Sequence, residues 1–192
     1  ERTTVRRPVV LGAALAMLFS PLAPLSWAGP PFAQFIDPHP APGNRFGETV
    51  VPLSTGNVVI TSPYDDAGGP DAGAVYLFNG ATGALISTLI GSSPGDNIGF
   101  GGVTALTNGN YVVTSPFWNG AAVWSGAVTW GNGTTGIAGV VSASNSLVGS
   151  GAAEHVGSKG VTTLTNGNYV VSSPFWGQAM GAATWGNGTT GA

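Results

Sequence analysis

Cysteine is absent from this chain of 192 residues, and charged side chains make up only 7% of it. Without cysteine the chain can form no disulfide and has no thiolate for catalysis or metal binding. An ordinary soluble domain carries about 25% charged residues. Beyond Ala28 there are two cations and seven carboxylates, a net charge of −5, which would repel the phosphates of a nucleic acid. The composition therefore predicts a domain held together by apolar packing that does not bind nucleic acid.

Groups suited to catalysis are equally sparse. The chain has two histidines, His39 and His155, and two isolated imidazoles do not make a metal site or a catalytic triad. Residues 91–95 match the G-x-S-x-G nucleophile elbow, in which the residue after the serine donates its backbone N–H to the oxyanion. That residue here is Pro94, which has no N–H. We therefore expect no enzymatic activity and no cofactor.

The first 28 residues have the pattern of a secretory signal peptide. Three arginines precede an apolar run at Val9–Phe19, and Ser26-Trp27-Ala28 provides the small residues of a cleavage site. The run of 11 residues is too short for the roughly 20 that a membrane-spanning helix needs. The pattern predicts cleavage after Ala28 and a protein that is secreted, extracellular or at the cell surface and does not span the membrane after cleavage. The pair Arg6-Arg7 leaves open whether export follows the general or the twin-arginine route.

Proline dominates the next segment, residues 29–44, which contains five of the 14 prolines. Proline cannot donate to a β-ladder and favours extended polyproline geometry, so this segment is predicted to be a linker. The chain begins with Glu1 rather than methionine and ends inside a repeat, so we expect it to be a fragment of a longer reading frame.

Internal repetition is the strongest signal in the rest of the chain. The segment Gly102–Trp118 (GVTALTNGNYVVTSPFW) returns 58 residues later as Gly160–Trp176 (GVTTLTNGNYVVSSPFW). A diverged copy lies 53 residues upstream of the first of these. Self-similarity of this kind is the signature of a repeat architecture. We divide the chain into repeat 1 (45–98), repeat 2 (99–156) and repeat 3 (157–192, truncated).

Each repeat is predicted to consist of short strands joined by glycine turns. In repeat 2 the runs Val103–Leu106 and Tyr111–Ser115 flank an Asn-Gly turn, the strongest short-range hairpin signal because both turn residues tolerate positive φ. Two further strands are predicted at Ala127–Trp130 and Ile137–Ser142. The same pattern recurs in repeat 1, and repeat 3 stops after its third strand.

The faces of these strands indicate how the sheets are packed. Tyr111 and Val113 alternate with Val112, so neither face is plainly polar. A four-stranded antiparallel sheet with two apolar faces is what a propeller blade requires. We predict an all-β fold of tandem four-stranded antiparallel repeat units, an incomplete β-propeller. A β-helix or solenoid is the alternative, which the tight turns disfavour because they cannot join parallel strands.

The motifs of repeat 1 resemble a known family. Phe46-Gly47, followed by Val58–Pro63 and Gly73–Phe78, is similar to the FG-GAP repeats of integrin-α-like β-propellers, with Thr-Ser-Pro where that family has Gly-Ala-Pro. Repeats 2 and 3 resemble the Gly/Asn-rich repeats of large secreted haemagglutinin-like bacterial proteins. The resemblance implies a propeller fold and a cell-surface location.

The resemblance does not extend to the calcium site of FG-GAP blades. In that family the loop between the first two strands is rich in aspartate, whereas the corresponding loops here, 53–57, 106–110 and 164–168, contain no carboxylate. Calcium prefers several oxygen ligands with negative charge among them. An acidic loop peculiar to repeat 1 carries Asp65, Asp66 and Asp71. We interpret it as a solvated loop, with calcium binding as the alternative.

Two tryptophans at equivalent positions form the other candidate site. Trp118 and Trp176 each follow Ser-Pro-Phe at the end of a strand. In a chain with few charges and no disulfide, such rings are expected to pack between repeats. A platform on which sugar rings stack is the alternative.

Two classes of function fit these features. The first is a secreted, non-enzymatic repeat scaffold, part of a bacterial adhesin-like protein, with host or cell-surface glycans or proteins as partners. The second is a carbohydrate- or calcium-binding propeller, or the propeller portion of a larger secreted enzyme. A closed propeller has about four to eight blades. We therefore expect this chain to self-associate through open blade edges.

Overall fold

The structure, a computed structural model, describes residues 34–191. The predicted signal peptide at 1–28 and the first part of the predicted linker, 29–33, lie outside the described residues. Among the described residues no helix is long and apolar enough to cross a membrane. The strands are β1 (Val50–Pro52), β2 (Asn57–Ser62), β3 (Ala74–Asn79), β4 (Leu85–Ile90), β5 (Val103–Ala105), β6 (Tyr111–Ser115), β7 (Ala127–Gly131), β8 (Gly139–Val140), β9 (Ser146–Val148), β10 (Val161–Thr163), β11 (Tyr169–Ser173) and β12 (Ala182–Gly186), with a four-residue left-handed turn, α1 (Trp176–Ala179), before the last strand.

Each repeat forms one sheet of three or four successive strands, and one further strand of repeat 2, β8, joins the sheet of repeat 1. The strand orders are β1-β2-β3-β4-β8 (sheet 1), β5-β6-β7-β9 (sheet 2) and β10-β11-β12 (sheet 3). Neighbouring strands run antiparallel in every pair except β4 and β8. The all-β class and the tandem antiparallel repeats are therefore confirmed, and the pairing within each repeat is not that of a β-helix.

Glycine turns form the first hairpin of each repeat, as the sequence predicted. In repeat 2 the Leu106 N–H donates to Asn110 O at 2.8 Å and the Gly109 N–H donates to Leu106 O at 3.1 Å. Gly56, Gly109 and Gly167 have φ of 86°, 88° and 86°, a region that glycine adopts without the steric cost of a Cβ. The hairpin geometry is thus set locally and repeats from one copy to the next.

The fourth strand of repeat 2 differs from the prediction. We expected Ile137–Ser142 to pair with β7, but only Gly139–Val140 in this segment is a strand, and it pairs in parallel with β4 of repeat 1. The fourth strand of sheet 2 is β9, which pairs with β7. Burial explains the difference. Because the segment pairs with β4 of repeat 1, Val141 lies in the core between repeats 1 and 2 and is only 2% exposed.

Both faces of sheet 2 are buried, as the alternation of side chains predicted. All five residues of β6 are buried. Tyr111 and Val113 face sheet 1, whereas Val112 faces sheet 3. Burial raises the pKa of Tyr111 to about 12. Since burying each large apolar side chain contributes about 1.5–3 kcal/mol, these two cores hold the repeats together.

Hydrogen bonds between turns also join successive repeats. Asn57 Nδ2 donates to Gly133 O at 2.8 Å, and one repeat later Asn110 Nδ2 donates to Gly188 O at 2.8 Å. A Cβ at Gly188 would overlap Gly167 O, so the turn requires glycine. We call this repeated contact the turn lock.

Two phenylalanines cover the outer face of sheet 1. The rings of Phe35 and Phe46 lie 5.3 Å and 6.0 Å from the ring of Phe78. Asn44, 3% exposed, donates its side-chain amide to His39 O at 2.6 Å. Residues 34–44, predicted as part of a linker, therefore lie against repeat 1 and shield its face from solvent.

Candidate functional site

Asp65, one of the three candidate calcium ligands, is fully buried. Its carboxylate accepts hydrogen bonds from Tyr76 Oη at 2.6 Å and from the Ala67 N–H at 2.8 Å, and the residue is 0% exposed. Burial, followed by the bond to Asp65, raises the pKa of Tyr76 well above its usual range. Asp65 thus fastens the loop of repeat 1 to its own sheet.

Asp66 and Asp71 are exposed and are bonded within the same loop. Asp66 Oδ1 accepts the Asp71 backbone N–H at 2.9 Å. Within residues 34–191 no three or more His, Cys, Asp or Glu side chains are grouped so as to hold a metal ion. The structure therefore does not bring Asp65, Asp66 and Asp71 together as a set of ligands.

The two candidate tryptophans have different surroundings. Trp118 is 6% exposed and lies in the core between sheets 1 and 2, with Gly120 so close that a Cβ there would overlap the indole ring. The faces of the indole ring are covered, so a sugar cannot stack on them. Trp118 therefore packs between repeats 1 and 2. Trp176 is 40% exposed and begins α1, in which Gly177 and Gln178 have left-handed φ of 61° and 60°. Of the pair, only Trp176 is accessible to a ligand.

A continuous row of aromatic rings crosses the three repeats on the surface. Tyr64, Phe117 and Phe175 occupy equivalent positions, each directly after the proline that follows a Ser-ended strand. The Ser-Pro-Phe motif of repeats 2 and 3 is evident in the sequence, whereas the equivalent place of Tyr64, after Ser62-Pro63, was not predicted. Other rings fill the gaps between them only in the folded chain. We call the following six residues the aromatic ridge: Tyr64, Phe100, Phe117, Trp124, His155 and Phe175.

Neighbouring rings of the aromatic ridge touch mostly edge to face. The centroid distances are 6.3 Å for Tyr64–Phe100, 4.9 Å for Phe100–Phe117, 5.7 Å for Phe117–His155 and 6.0 Å for His155–Phe175. Pairs of this geometry contribute about 0.5–1.5 kcal/mol beyond the area they bury. The ridge is therefore a connected structure and not a set of isolated exposed rings.

Much of the aromatic ridge faces solvent. Phe100, Trp124 and Phe175 are 45%, 50% and 47% exposed. At one end the Arg45 guanidinium lies 4.7 Å from the centre of the Tyr64 ring. Exposed aromatic surface that extends over several residues marks sites of interaction.

Hydrogen bonds to proline carbonyls hold the ridge in position. Asn97 Nδ2 donates to Pro63 O at 3.1 Å, and at the equivalent place one repeat later His155 Nδ1 lies 3.0 Å from Pro116 O. Both residues have left-handed φ, 47° and 45°. A carbonyl can only accept, so His155 Nδ1 donates this bond. His155 therefore serves to place its own ring in the ridge.

Asp96 joins repeat 1 to the ridge-bearing loop of repeat 2. The residue is 0% exposed, and its Oδ2 accepts the Ser92 and Ser93 N–H groups at 2.9 Å each. Its Oδ1 accepts the Asn119 N–H at 3.0 Å and the Asn119 side-chain amide at 3.1 Å. The hydrogen bonds of this carboxylate thus join a loop of repeat 1 to a loop of repeat 2.

Glu154 makes the equivalent connection from repeat 2 to repeat 3. Its carboxylate accepts the Ser150 N–H at 2.8 Å and the Gly177 N–H at 3.2 Å. Hydrogen bonds from backbone N–H groups, that of Gly151 foremost, hold the pKa of Glu154 below its usual value. We call the contacts of Asp96 and Glu154 the acid lock.

The repeats of this fold correspond to a known family of sequences. The family model described as a repeat of unknown function, DUF5650, matches residues 52–100, 105–158 and 163–192. The chain belongs to the DUF5650 repeat family. Each DUF5650 match spans most of one sheet and the loop that contributes to the aromatic ridge. No curated protein matches the chain.

The chemistry open to the three DUF5650 repeats follows from this geometry. The acid lock engages Asp96 and Glu154 with backbone N–H groups, and His155 is bonded to a carbonyl. The aromatic ridge, in contrast, offers exposed ring faces and edges to an outside molecule. Binding by stacking and apolar contact is therefore the chemistry that this surface supports.

Proposed function

We propose that the chain is a secreted or cell-surface, non-enzymatic repeat scaffold that binds a ligand along the aromatic ridge, as part of a bacterial adhesin-like protein. The observation that carries the proposal is the recurrence of an aromatic ring at the same position in all three repeats, Tyr64, Phe117 and Phe175, within one connected exposed row. The signal-peptide pattern at 1–28 supports export. The acid and turn locks support a scaffold, because they keep the spacing of the rings constant.

Glycans of a host or cell surface are the favoured partners, with cell-surface proteins as the alternative. Sugar rings present C–H groups that stack on aromatic faces, and this contact needs no charge on the protein. Only Arg45 stacks as a cation on the described rings of the ridge. The surface is therefore suited to a neutral ligand more than to a strongly charged one.

We also propose that the chain is related to the FG-GAP propellers. The strand order β1-β2-β3-β4 is that of a propeller blade, which supports a relationship to FG-GAP propellers. Calcium-dependent binding receives no support from the described carboxylates, since Asp65 is engaged with Tyr76 and Ala67.

A glycan array probed with the full chain tests the proposal. Phe175→Ala and Trp124→Ala each remove an exposed ring of the ridge and should weaken binding by about tenfold or more, the loss of roughly 1.4 kcal/mol of stacking. The control is Leu85→Ala, since Leu85 is 45% exposed but lies outside the ridge. Binding that is absent, or that falls equally in the control, would refute the ridge as a ligand site.

A further inference from the structure

One exposed position carries an acidic side chain in repeat 1 and an aromatic side chain in repeat 2. The two residues are Asp71 and Trp124. The Asp71 N–H donates to Asp66 Oδ1 at 2.9 Å, and the Trp124 N–H donates to Asn119 Oδ1 at 3.1 Å. Both residues have left-handed φ, 52° and 53°. The two loops therefore hold Asp71 and Trp124 in equivalent places.

The two side chains leave their loops toward equivalent neighbours. The Asn97 N–H donates to Asp71 O at 3.1 Å, as the His155 N–H donates to Trp124 O at 3.1 Å. The conformation of the backbone sets the direction of a side chain, and the Trp124 indole stacks on the His155 ring with the centroids 6.0 Å apart. The Asp71 side chain therefore starts on the side of Asn97.

Asn97 joins Asp71 to the aromatic ridge. Its side-chain amide donates to Asp71 O and to Pro63 O, at 3.1 Å each. Pro63 directly precedes Tyr64, whose ring is the first of the ridge. The Arg45 guanidinium lies 4.7 Å from the centre of that ring. We call Tyr64, Asp71 and Asn97 the polar end of the aromatic ridge.

The fold does not use the carboxylate of Asp71. Asp65, Asp66 and Asp96 each accept a backbone N–H, at 2.8 Å, 2.9 Å and 2.9 Å. Asp71 is exposed, and its carboxylate accepts no hydrogen bond from the residues that the structure describes. Hydrogen bonds to a charged acceptor are about twice as strong as those between neutral groups. The polar end therefore has a strong acceptor available to a ligand.

The remainder of the aromatic ridge is mainly hydrocarbon. Phe117 and Phe175 follow their strands as Tyr64 does, and Trp124 stands where repeat 1 has Asp71. The Nδ1–H of His155 is bonded to a backbone carbonyl. The ridge thus changes from polar to apolar between repeats 1 and 2.

We propose that Asp71 selects the sugar bound at the polar end and so fixes the direction of a glycan along the ridge, an inference that rests on the glycan binding proposed above. Two vicinal hydroxyls of one neutral sugar donate to the two carboxylate oxygens. The following sugars stack on the exposed rings of Phe100 and Trp124. A sugar without those hydroxyls leaves the desolvated carboxylate without donors, and an anionic sugar is repelled by it.

A glycan array with matched pairs of neutral oligosaccharides tests this inference on the full chain. The members of a pair differ only in their terminal sugar, whose vicinal hydroxyls are free in one member and O-methylated in the other. The unaltered chain should bind the free member at least about tenfold more tightly. Asp71→Asn should lower this ratio at least about fivefold, because an amide has one neutral acceptor oxygen in place of two charged ones. Asparagine tolerates left-handed φ, so the loop is retained.

Asp66→Asn is the matched control. It removes one negative charge from the same loop, and Asn119 already makes the equivalent bond to the Trp124 N–H in repeat 2. This variant should leave the ratio unchanged. Asp71→Trp makes repeat 1 resemble repeat 2 and should bind both members of a pair equally, since Trp124 shows that the loop holds an indole at this φ.

Three outcomes would overturn the role of Asp71: the same ratio in Asp71→Asn as in the unaltered chain, an equal fall of the ratio in Asp66→Asn, or equal binding of both members of every pair by the unaltered chain. In each of them, weaker glycan binding by Trp124→Ala would still support the ridge as the binding surface. If the unaltered chain binds no glycan on the array, the proposed function and the role of Asp71 are both wrong.

Discussion

A few buried carboxylates decide how successive repeats are joined. Asp96 accepts four hydrogen bonds, two of them from Asn119 in the following repeat. A buried carboxylate is stable only when its oxygens are satisfied, and here three backbone N–H groups and the Asn119 side-chain amide provide the bonds. Asp96 thus connects loops of two repeats. Asp65, which is also buried, connects a loop to the sheet within one repeat.

At this scale we predict that Asp96→Ala lowers the free energy of unfolding by about 3 kcal/mol, since it leaves several buried N–H groups without an acceptor. The measurement is urea denaturation followed by tryptophan fluorescence. Glu48→Ala is the control, because Glu48 is exposed and lies 3.9 Å from Arg45, and an exposed ion pair contributes about 0–1 kcal/mol. Equal stability of the two variants would show that the acid lock does not couple the repeats.

At the scale of elements, the turns act as connectors between sheets. Asn110 takes part in two turn contacts: its Oδ1 accepts the Gly133 N–H at 2.9 Å and its Nδ2 donates to Gly188 O at 2.8 Å. Asn168, at the equivalent position of repeat 3, accepts the Gly188 N–H at 3.0 Å. No further repeat follows it among the described residues, so it makes only the contact within its own repeat.

The two asparagines therefore form a matched pair for measuring the turn lock. Asn110→Ala should destabilise the protein more than Asn168→Ala does, by about 1 kcal/mol, because only the first loses a hydrogen bond to the next repeat. Thermal and urea unfolding of the two variants provide the measurement. Identical losses would mean that the inter-repeat bond contributes nothing beyond the turn itself.

At the scale of the molecule, the two ends of the described repeats differ. Residues 34–46 cover the outer face of repeat 1 through Phe35 and Phe46. On repeat 3, Trp185 is 55% exposed and the edge of β12 has no partner among the described residues. Surface of this kind favours association in water.

We therefore predict concentration-dependent self-association of the chain through repeat 3. Light scattering on the purified protein should show a rising mean mass, which Trp185→Ser reduces. Ile36→Ser, at a position 70% exposed near the covered face, should leave the mass unchanged. A monomer that persists at high concentration would contradict the prediction and would mean that the end of repeat 3 is already shielded.

The repeat organisation could be predicted because its signals are local. An Asn-Gly pair between apolar runs favours a hairpin whatever surrounds it, and the first hairpins of repeats 2 and 3 are found at their predicted places. The burial of both faces of β6 was likewise visible in the alternation of apolar side chains. The fourth strand of repeat 2 was predicted wrongly. Ile137 and Val141 have the apolar character of a strand, but the neighbouring sequence does not determine which sheet this strand joins.

The sequence by itself thus determined the all-β class, the repeat length and the turns, since each depends on residues a few positions apart. The tertiary structure decided what the repeated motifs do. Trp118 and Trp176 follow the same Ser-Pro-Phe motif, yet one is buried and the other exposed, and the loop after β11 is three residues shorter than the loop after β6. The aromatic ridge likewise exists only because loops from different repeats meet, and contacts between distant residues depend on how the sheets pack.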